Sequence, residues 1–109
     1  MISHIVLFRP PSTPSAEDRR ALYDALVSGI RQCPSVRGWR IGRRVLHGLP
    51  GYEQLMREDY EYALVLEFED LEGLREYLTA PAHEQLGGLF SRASAALAYD
   101  YDWTAGVRP

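Results

Sequence analysis

A proline inside a helical stretch divides the C-terminal half of this chain. Residues 71–78 follow an amphipathic pattern, which predicts a helix that ends at Thr79 and Ala80. Pro81 cannot continue that helix, because it has no N–H group and disfavours helical geometry at Ala80. Proline is also favoured in the first turn of a helix. The sequence therefore predicts two consecutive helices, with His83 in the first turn of the second.

The position of His83 predicts its charge state. A helix N-terminus carries partial positive charge, which disfavours imidazolium, so His83 should be neutral near pH 7. A neutral imidazole can act as a base or as a hydrogen-bonding group. Tyr77, on the other side of the break, can face the same space. The alternatives are that His83 is a polar helix-start residue and that Tyr77 only seals the core.

Size and composition limit the classes of function. The 109 residues suit a single domain, predicted over residues 1–104 with a tail at 105–109. A net charge of −3 argues against a nucleic-acid partner, which requires basic residues to neutralise phosphates. The single cysteine, Cys33, excludes an internal disulfide and fits a cytoplasmic location. Neither a signal peptide nor an apolar run of membrane-spanning length is evident, so we expect no membrane partner.

Alternating apolar residues predict four strands, at residues 2–9, 36–46, 60–69 and 97–103. In the first strand, His4 shares a face with Ile2, Val6 and Phe8, and Ser3, Ile5, Leu7 and Arg9 share the other. In the third strand, Tyr62 shares a face with Leu64, Leu66 and Phe68. His4 is thus either a core histidine with a hydrogen-bond partner or a member of a site.

The remaining segments are predicted as one helix and one long loop. Ser15 is a suitable N-cap for a helix over residues 16–32, which ends before Pro34. Residues 47–59 are glycine-containing and weakly periodic, which indicates either a mobile connection or a lid. Four arginines lie close together, and they form either a solvated strand edge or a clamp for a ligand's carboxylate or phosphate: Arg37, Arg40, Arg43 and Arg44.

The order of elements predicts the architecture. In one open sheet, right-handed crossovers place all the helices on the same face. The predicted fold is therefore a ferredoxin-like β-α-β-β-α-α-β sandwich of the α+β class with a four-stranded antiparallel sheet. The other sheet face would carry uncovered apolar residues, namely Ile5, Leu7, Ala63 and Val65. A second copy of the chain can cover them, so we expect a homodimer.

Several motifs carry a resemblance to a known family. They are the first strand 3–8, Val36-Arg37-Gly38-Trp39 leading to Gly42, the run 62–70, the run 77–83 and Tyr99-Asp100-Tyr101. Taken in this order, they resemble the stress-responsive A/B barrel (Dabb) family over about residues 1–103. The resemblance implies the same ferredoxin-like protomer and a dimeric α+β barrel.

The resemblance also implies a site. Some relatives are similar to cofactor-free polyketide cyclases, in which a first-strand histidine, a tyrosine and the histidine of the Pro-x-His motif line a cavity between sheet and helices. These positions match His4, Tyr77 and His83, and Asp100 matches an aspartate that orients the last histidine. The predicted substrate-binding residues are Tyr62, Tyr23, Leu26, Phe8, Leu86 and Phe90. Two positions depart from the cyclase pattern. This chain has Tyr62 where the cyclases carry a histidine, and Leu26 where they carry a tyrosine.

These residues support a leading hypothesis and two alternatives. In the first, a cofactor-independent enzyme of cyclase, isomerase or lyase type acts on a carbonyl-containing, polyketide-like small molecule. His83, oriented by Asp100, removes a proton α to the carbonyl, and Tyr77 or His4 hydrogen-bonds the enolate oxygen.

The alternatives are a non-catalytic stress-responsive or ligand-binding dimer, and a cofactor-free monooxygenase that uses Trp39 or Trp103. The resemblance to cofactor-free enzymes implies that no cofactor is needed. No metal is expected either, because His4, His47 and His83 lack the close spacing of metal ligands.

Overall fold

A computed structural model describes residues 1–10, 13–91 and 95–103, without the side chains of residues 89–91. The strands are β1 (Ile2–Arg9), β2 (Val36–Arg43), β3 (Tyr62–Phe68) and β4 (Ala95–Asp102). The helices are α1 (Ala16–Arg31), α2 (Leu71–Thr79) and α3 (Pro81–Ser91), and a short 3₁₀ helix spans Glu53–Leu55. The predicted tail at 105–109 lies outside the described residues.

The four strands form one antiparallel sheet in the order β2-β3-β1-β4. With the helices between them in the chain, this is the predicted ferredoxin-like α+β fold. The pairing register places His4 opposite Leu66 of β3 on one side and opposite Asp100 of β4 on the other. The central strand β1 therefore carries His4 in the middle of the sheet.

Local hydrogen bonds fix the helix ends as the sequence predicts. The Ser15 hydroxyl accepts from the Asp18 backbone N–H at 3.0 Å, and the Asp18 carboxylate accepts from the Ser15 N–H at 3.1 Å. At the break, Ala80 has an extended backbone with ψ of 146°, which ends α2. The His83 N–H then donates to the Ala80 carbonyl at 3.0 Å, inside the first turn of α3.

The core lies between the helices and one face of the sheet. Its buried members come from β1, β3 and the three helices: Ile2, Val6, Phe8, Leu64, Leu66, Phe68, Leu26, Ile30, Leu74, Tyr77, Ala82 and Leu86. On the other face, which we call the open face, Ile5, Leu7 and Val65 are only partly buried. The protein is a thin slab of 40 × 39 × 19 Å, consistent with one sheet covered on one side.

Several predicted boundaries differ from the structure. β2 ends at Arg43 rather than at Leu46, and β3 begins at Tyr62 rather than at Tyr60. Beyond Arg44, which still donates its backbone N–H to the Glu61 carbonyl at 2.8 Å, the chain enters turns that need positive φ angles. β4 begins at Ala95, so the helical periodicity that ran on to Leu97 was misleading.

Two arginines of the predicted basic cluster form ion pairs at the sheet edge. Arg37 lies 3.4 Å from the Glu69 carboxylate, and Arg44 lies 2.6 Å from that of Asp59. Carboxylates of the chain itself thus match these two charges, which favours the solvated strand edge over the clamp.

Candidate active site

A histidine–carboxylate pair joins β1 and β4 on the helix-covered face. The Nδ1 of His4 lies 2.6 Å from Oδ1 of Asp100, which is its direct cross-strand neighbour. The His4 side chain is 8% exposed and that of Asp100 is 40% exposed. Because a carboxylate can only accept, Nδ1 carries the proton of this bond, and Nε2 of His4 is directed elsewhere.

Tyr77 lies between the two predicted histidines. Its ring centroid is 5.7 Å from that of His4 and 4.9 Å from that of His83, where the rings meet edge to face. The Phe68 ring packs against it at 5.5 Å. Burial raises the pKa of the Tyr77 hydroxyl far above its ordinary value, so the group stays protonated and can donate a hydrogen bond.

His83 is partly exposed at the start of α3, with a lowered pKa. Burial is the main cause, and the positive charge that His4 can carry adds to it. A hydrogen bond to the Leu78 backbone and the nearby Glu84 carboxylate act in the opposite direction without reversing the shift. The neutral imidazole is therefore favoured near pH 7, and the causes are burial and His4 rather than the helix N-terminus.

The structure corrects one predicted pairing. Asp100 was expected to orient His83, whereas its carboxylate pairs with His4. The reason is the register of β1 and β4, which places His4 and Asp100 opposite each other on the same face. The carboxylate that influences His83 is that of Glu84, one residue along α3.

The predicted substrate-binding residues separate into three groups. Phe8, Leu26 and Leu86 are buried in the core, and Tyr23 is 47% exposed on α1. Tyr62 pairs with Phe8, four residues along β3 from the position opposite His4, which is about 13 Å at strand spacing. The side chain of Phe90 lies outside the described part of the chain. The site thus brings together His4, Tyr77, His83 and Asp100, but not Tyr62.

Tyr62 belongs to a separate cluster. Its ring stacks on Phe8 with centroids 5.4 Å apart, and its hydroxyl accepts from Arg19 at 2.6 Å. Arg19 also forms an ion pair with Glu61, which lowers the pKa of that carboxyl. Arg19 and Glu61 were not singled out in the sequence, since an exposed charge on a helix gives no signal of a partner 42 residues away.

A second polar network, also missed, lies on the open face. The Ser3 hydroxyl donates to the Glu67 carboxylate at 2.6 Å, and the Trp103 indole N–H donates to the Ser3 oxygen at 2.6 Å. The alternation places Ser3 and Glu67 on the same face as the apolar Ile5, Leu7 and Val65. Their mutual contact required the register.

The described residues bear on metal binding and on membrane insertion. They contain no group of three His, Cys, Asp or Glu side chains that could hold a metal ion. Within the same residues, no helix has the length and apolar character needed to cross a membrane.

The fold and the register define a ferredoxin-like α+β protein. The chain belongs to the Stress responsive A/B Barrel Domain family, whose sequence profile it matches over residues 2–103. No curated protein matches the chain.

Solved structures resemble the chain at low sequence identity. A hydroxynitrile lyase from Passiflora edulis is 16% identical, with 92% of this chain and 90% of that chain covered and a TM-score of 0.74. A dimeric ferredoxin-like protein of unknown function from Thermobifida fusca is 21% identical, with coverages of 92% and 88% and a TM-score of 0.70. SnoaB, a cofactor-independent oxygenase from Streptomyces nogalater, is 10% identical, with coverages of 93% and 90% and a TM-score of 0.65. These likenesses establish the fold, which accommodates different chemistries.

Proposed function

We propose that this protein is a cofactor-independent acid–base enzyme that acts on a small carbonyl compound. The observation that carries the proposal is the pair of histidines on either side of Tyr77. His83 has a lowered pKa, whereas His4 is bonded to the Asp100 carboxylate. Two titratable groups in contrasting environments are the arrangement that acid–base catalysis requires.

The contrasting environments suggest the role of each group. His83 is neutral and partly exposed, so it can take a proton α to the carbonyl. When His4 carries both ring protons, Nδ1–H is held by Asp100 and Nε2–H can donate to the enolate oxygen that develops. Tyr77, whose hydroxyl does not ionise, would add a second donor to that oxygen.

The reaction class is that of proton transfer next to a carbonyl. Cyclisation, isomerisation and lyase chemistry all begin or end with such a step, and a polyketide-like chain offers the acidic α-hydrogens. The similarity of fold to a hydroxynitrile lyase supports the view that this fold can accommodate lyase chemistry. Partial exposure of His83 and Asp100 supports access from the α3 and β4 side.

The proposed enzyme is a homodimer. Its open face carries the partly buried residues Ile5, Leu7 and Val65. The C-terminal end of β4 carries Tyr99 and Tyr101 on the same face, and these two side chains are each about half exposed. Burying this apolar surface against a second copy removes it from water. The dimeric state described for the Thermobifida fusca protein supports a homodimer.

A ligand-binding dimer without turnover is the second candidate. It is favoured by the depth of Tyr77 and His4, which are 1% and 6% exposed and pack within the core. In that case the same residues would hold a ligand's polar group, and no proton would be transferred.

Identification of any small molecule that copurifies with the protein tests both candidates. Native mass spectrometry followed by denaturing extraction would give its mass, and the compound or a surrogate would then be assayed for turnover and oxygen consumption. We expect His83→Ala to lower turnover by roughly 10²–10⁴-fold, the usual range for a general base. His47→Ala, which alters a loop histidine, is the matched control. Full turnover by His83→Ala would refute the assignment, and oxygen consumption would favour the monooxygenase.

A further inference from the structure

One loop exposes an unusual amount of apolar surface. Residues 45–56, which we call the arm, connect β2 towards β3 and include no lysine or arginine. Its large apolar side chains are all more than half exposed: Val45, Leu46, Leu49, Tyr52, Leu55 and Met56. Large exposed apolar patches usually mark an interaction surface.

The arm has a defined conformation. The Gly48 N–H donates to the Glu53 carboxylate at 2.9 Å, and the Gly51 N–H donates to the Gln54 side chain at 3.1 Å. Both glycines have positive φ angles, 74° and 82°, which other residues rarely adopt. The apolar side chains are therefore held outward by hydrogen bonds within the arm.

A second apolar patch lies at the opposite corner of the sheet. Tyr99, Tyr101 and Trp103, which we call the aromatic corner, are 59%, 49% and 56% exposed on the open face. Their exposed parts amount to roughly 300 Å², since an aromatic side chain offers about 150–250 Å². With Ile5 and Leu7, they line a depression of about 290 Å³.

The sheet topology fixes where the two patches lie. The arm leaves the C-terminal end of β2, an edge strand, whereas the aromatic corner is at the C-terminal end of β4, the other edge strand. Because β2 and β4 run in opposite directions, these ends are diagonally opposite. The arm also turns towards the open face, where Met56 lines a depression with Leu7 and Ala63.

We infer that, in the homodimer, each arm packs on the aromatic corner of the second copy. The arm and the aromatic corner occupy two opposite corners of the sheet, and a second diagonal joins the other two corners. When two sheets face each other, a two-fold axis along this second diagonal brings each arm over the partner's aromatic corner. The strands of the two sheets then cross nearly at right angles, which is a known packing of sheets. The same operation makes two identical contacts, as an isologous interface requires. The inference rests on the homodimer proposed above and specifies its arrangement.

The area argument supports the arms as part of the interface. A stable interface buries about 800 Å² per partner. The aromatic corner supplies less than half of that, so further apolar surface must contribute. The arm is largely apolar, and the side chain of Glu53, its one acidic residue, is only 19% exposed and accepts from the Gly48 N–H. The arm is also continuous with the open face, so it matches the chemistry of the corner.

Cross-linking between differently labelled chains tests the arrangement. One chain would carry Leu55→Cys and the other Tyr99→Cys, and a short bis-maleimide would be added to each alone and to a mixture allowed to exchange. We expect a covalent dimer in the mixture only. The unsubstituted protein, which retains the buried Cys33, is the control for background reaction.

The outcomes separate this inference from the proposals on which it rests. Cross-linking of Leu55→Cys alone would indicate arm-to-arm contact and overturn the inference, as would absence of cross-linking in a mixture that sediments as a dimer. A monomer by sedimentation would overturn the homodimer as well. Turnover is measured independently, so the acid–base proposal stands or fails by itself.

A weakened dimer gives a second measurement. Leu49→Ser combined with Leu55→Ser should raise the dimer dissociation constant by at least about tenfold. The reason is that each of the two arms in the dimer loses the apolar contacts of both leucines. Leu71→Ser, at a residue 48% exposed on α2, should leave it unchanged. Equal effects of the two changes would contradict a specific role for the arm.

Discussion

The two faces of the sheet have the same alternating pattern but different surroundings. On the helix-covered face, Leu64, Leu66 and Phe68 are completely buried by the chain's own helices. On the open face, their neighbours Ala63 and Val65 are only partly covered. The comparison teaches that period-two alternation identifies the two faces of a strand but not what covers each of them.

Each face also contains a polar cluster that joins β1 to its neighbours in apolar surroundings. The helix-covered face has His4 bonded to Asp100, and the open face has Ser3 bonded to Glu67 and Trp103. Buried polar groups need such partners, because an unpaired one costs about 1–3 kcal/mol. The helix-covered cluster adjoins a second histidine, His83, through the buried ring of Tyr77, whereas the open-face cluster adjoins the ring of Tyr101, which stacks on Trp103.

The largest expected effect is on the open face. Val65→Asp should dissociate the dimer at micromolar concentration, because two carboxylates would be buried without partners. Sedimentation velocity would measure the change, with Val65→Thr as a control of similar shape. If Val65→Asp remains dimeric, the open face is not the interface and the comparison between the faces fails.

The next effect distinguishes the faces by concentration dependence. Leu66→Ala should lower the free energy of unfolding by about 2–5 kcal/mol at every protein concentration, because it opens a cavity in the chain's own core. Val65→Ala should have a smaller effect that grows with protein concentration, since it acts through association. Urea unfolding at two concentrations measures both. A concentration-dependent effect of Leu66→Ala would contradict the assignment of the faces.

Much of the fold was predictable because it depends on local signals. Ser15 and Asp70 begin helices by capping, and Pro81 separates two helices in the way that its missing N–H requires. The alternation also assigned His4 and Tyr62 to the helix-covered face. The strand ends were less well predicted, because the turn at Gly48 and Gly51 overrides the continuing alternation at Val45.

The candidate site was predictable as a set of residues but not as a set of contacts. Tyr77 and His83 are close in the chain, and the helix break brings them into ring contact. The partner of Asp100 depends instead on the register of β1 and β4. Asp100 and His4 are 96 residues apart in the chain, so no local pattern contains their contact. The same limitation hid the bonds from Ser3 to Glu67 and from Trp103 to Ser3.

A moderate effect is expected from the polar cluster of the open face. Ser3→Ala should lower the free energy of unfolding by roughly 1–3 kcal/mol, because the Trp103 N–H and the Glu67 carboxylate lose a shared partner. Ser28→Ala, at an exposed position of α1, is the control. Urea unfolding provides the measurement, and equal stability of Ser3→Ala and the unsubstituted protein would show that the cluster adds nothing.

The smallest effect concerns the pH dependence of the helix-covered face. The folded-state pKa of His83 is lowered from its ordinary value of 6.5, so the unfolded chain binds a proton at a higher pH than the folded one. Stability from the neutral ring is therefore complete above about pH 6.5, declines as the pH falls through the lowered pKa, and is constant below it. Urea unfolding between pH 8 and pH 5 should show this decline, and His83→Gln should reduce it. His47→Gln, which changes an exposed loop histidine, should retain the full decline and controls for general titration. An unchanged decline in His83→Gln would mean that His83 does not have a lowered pKa, and the contrast between the two histidines of the site would be lost.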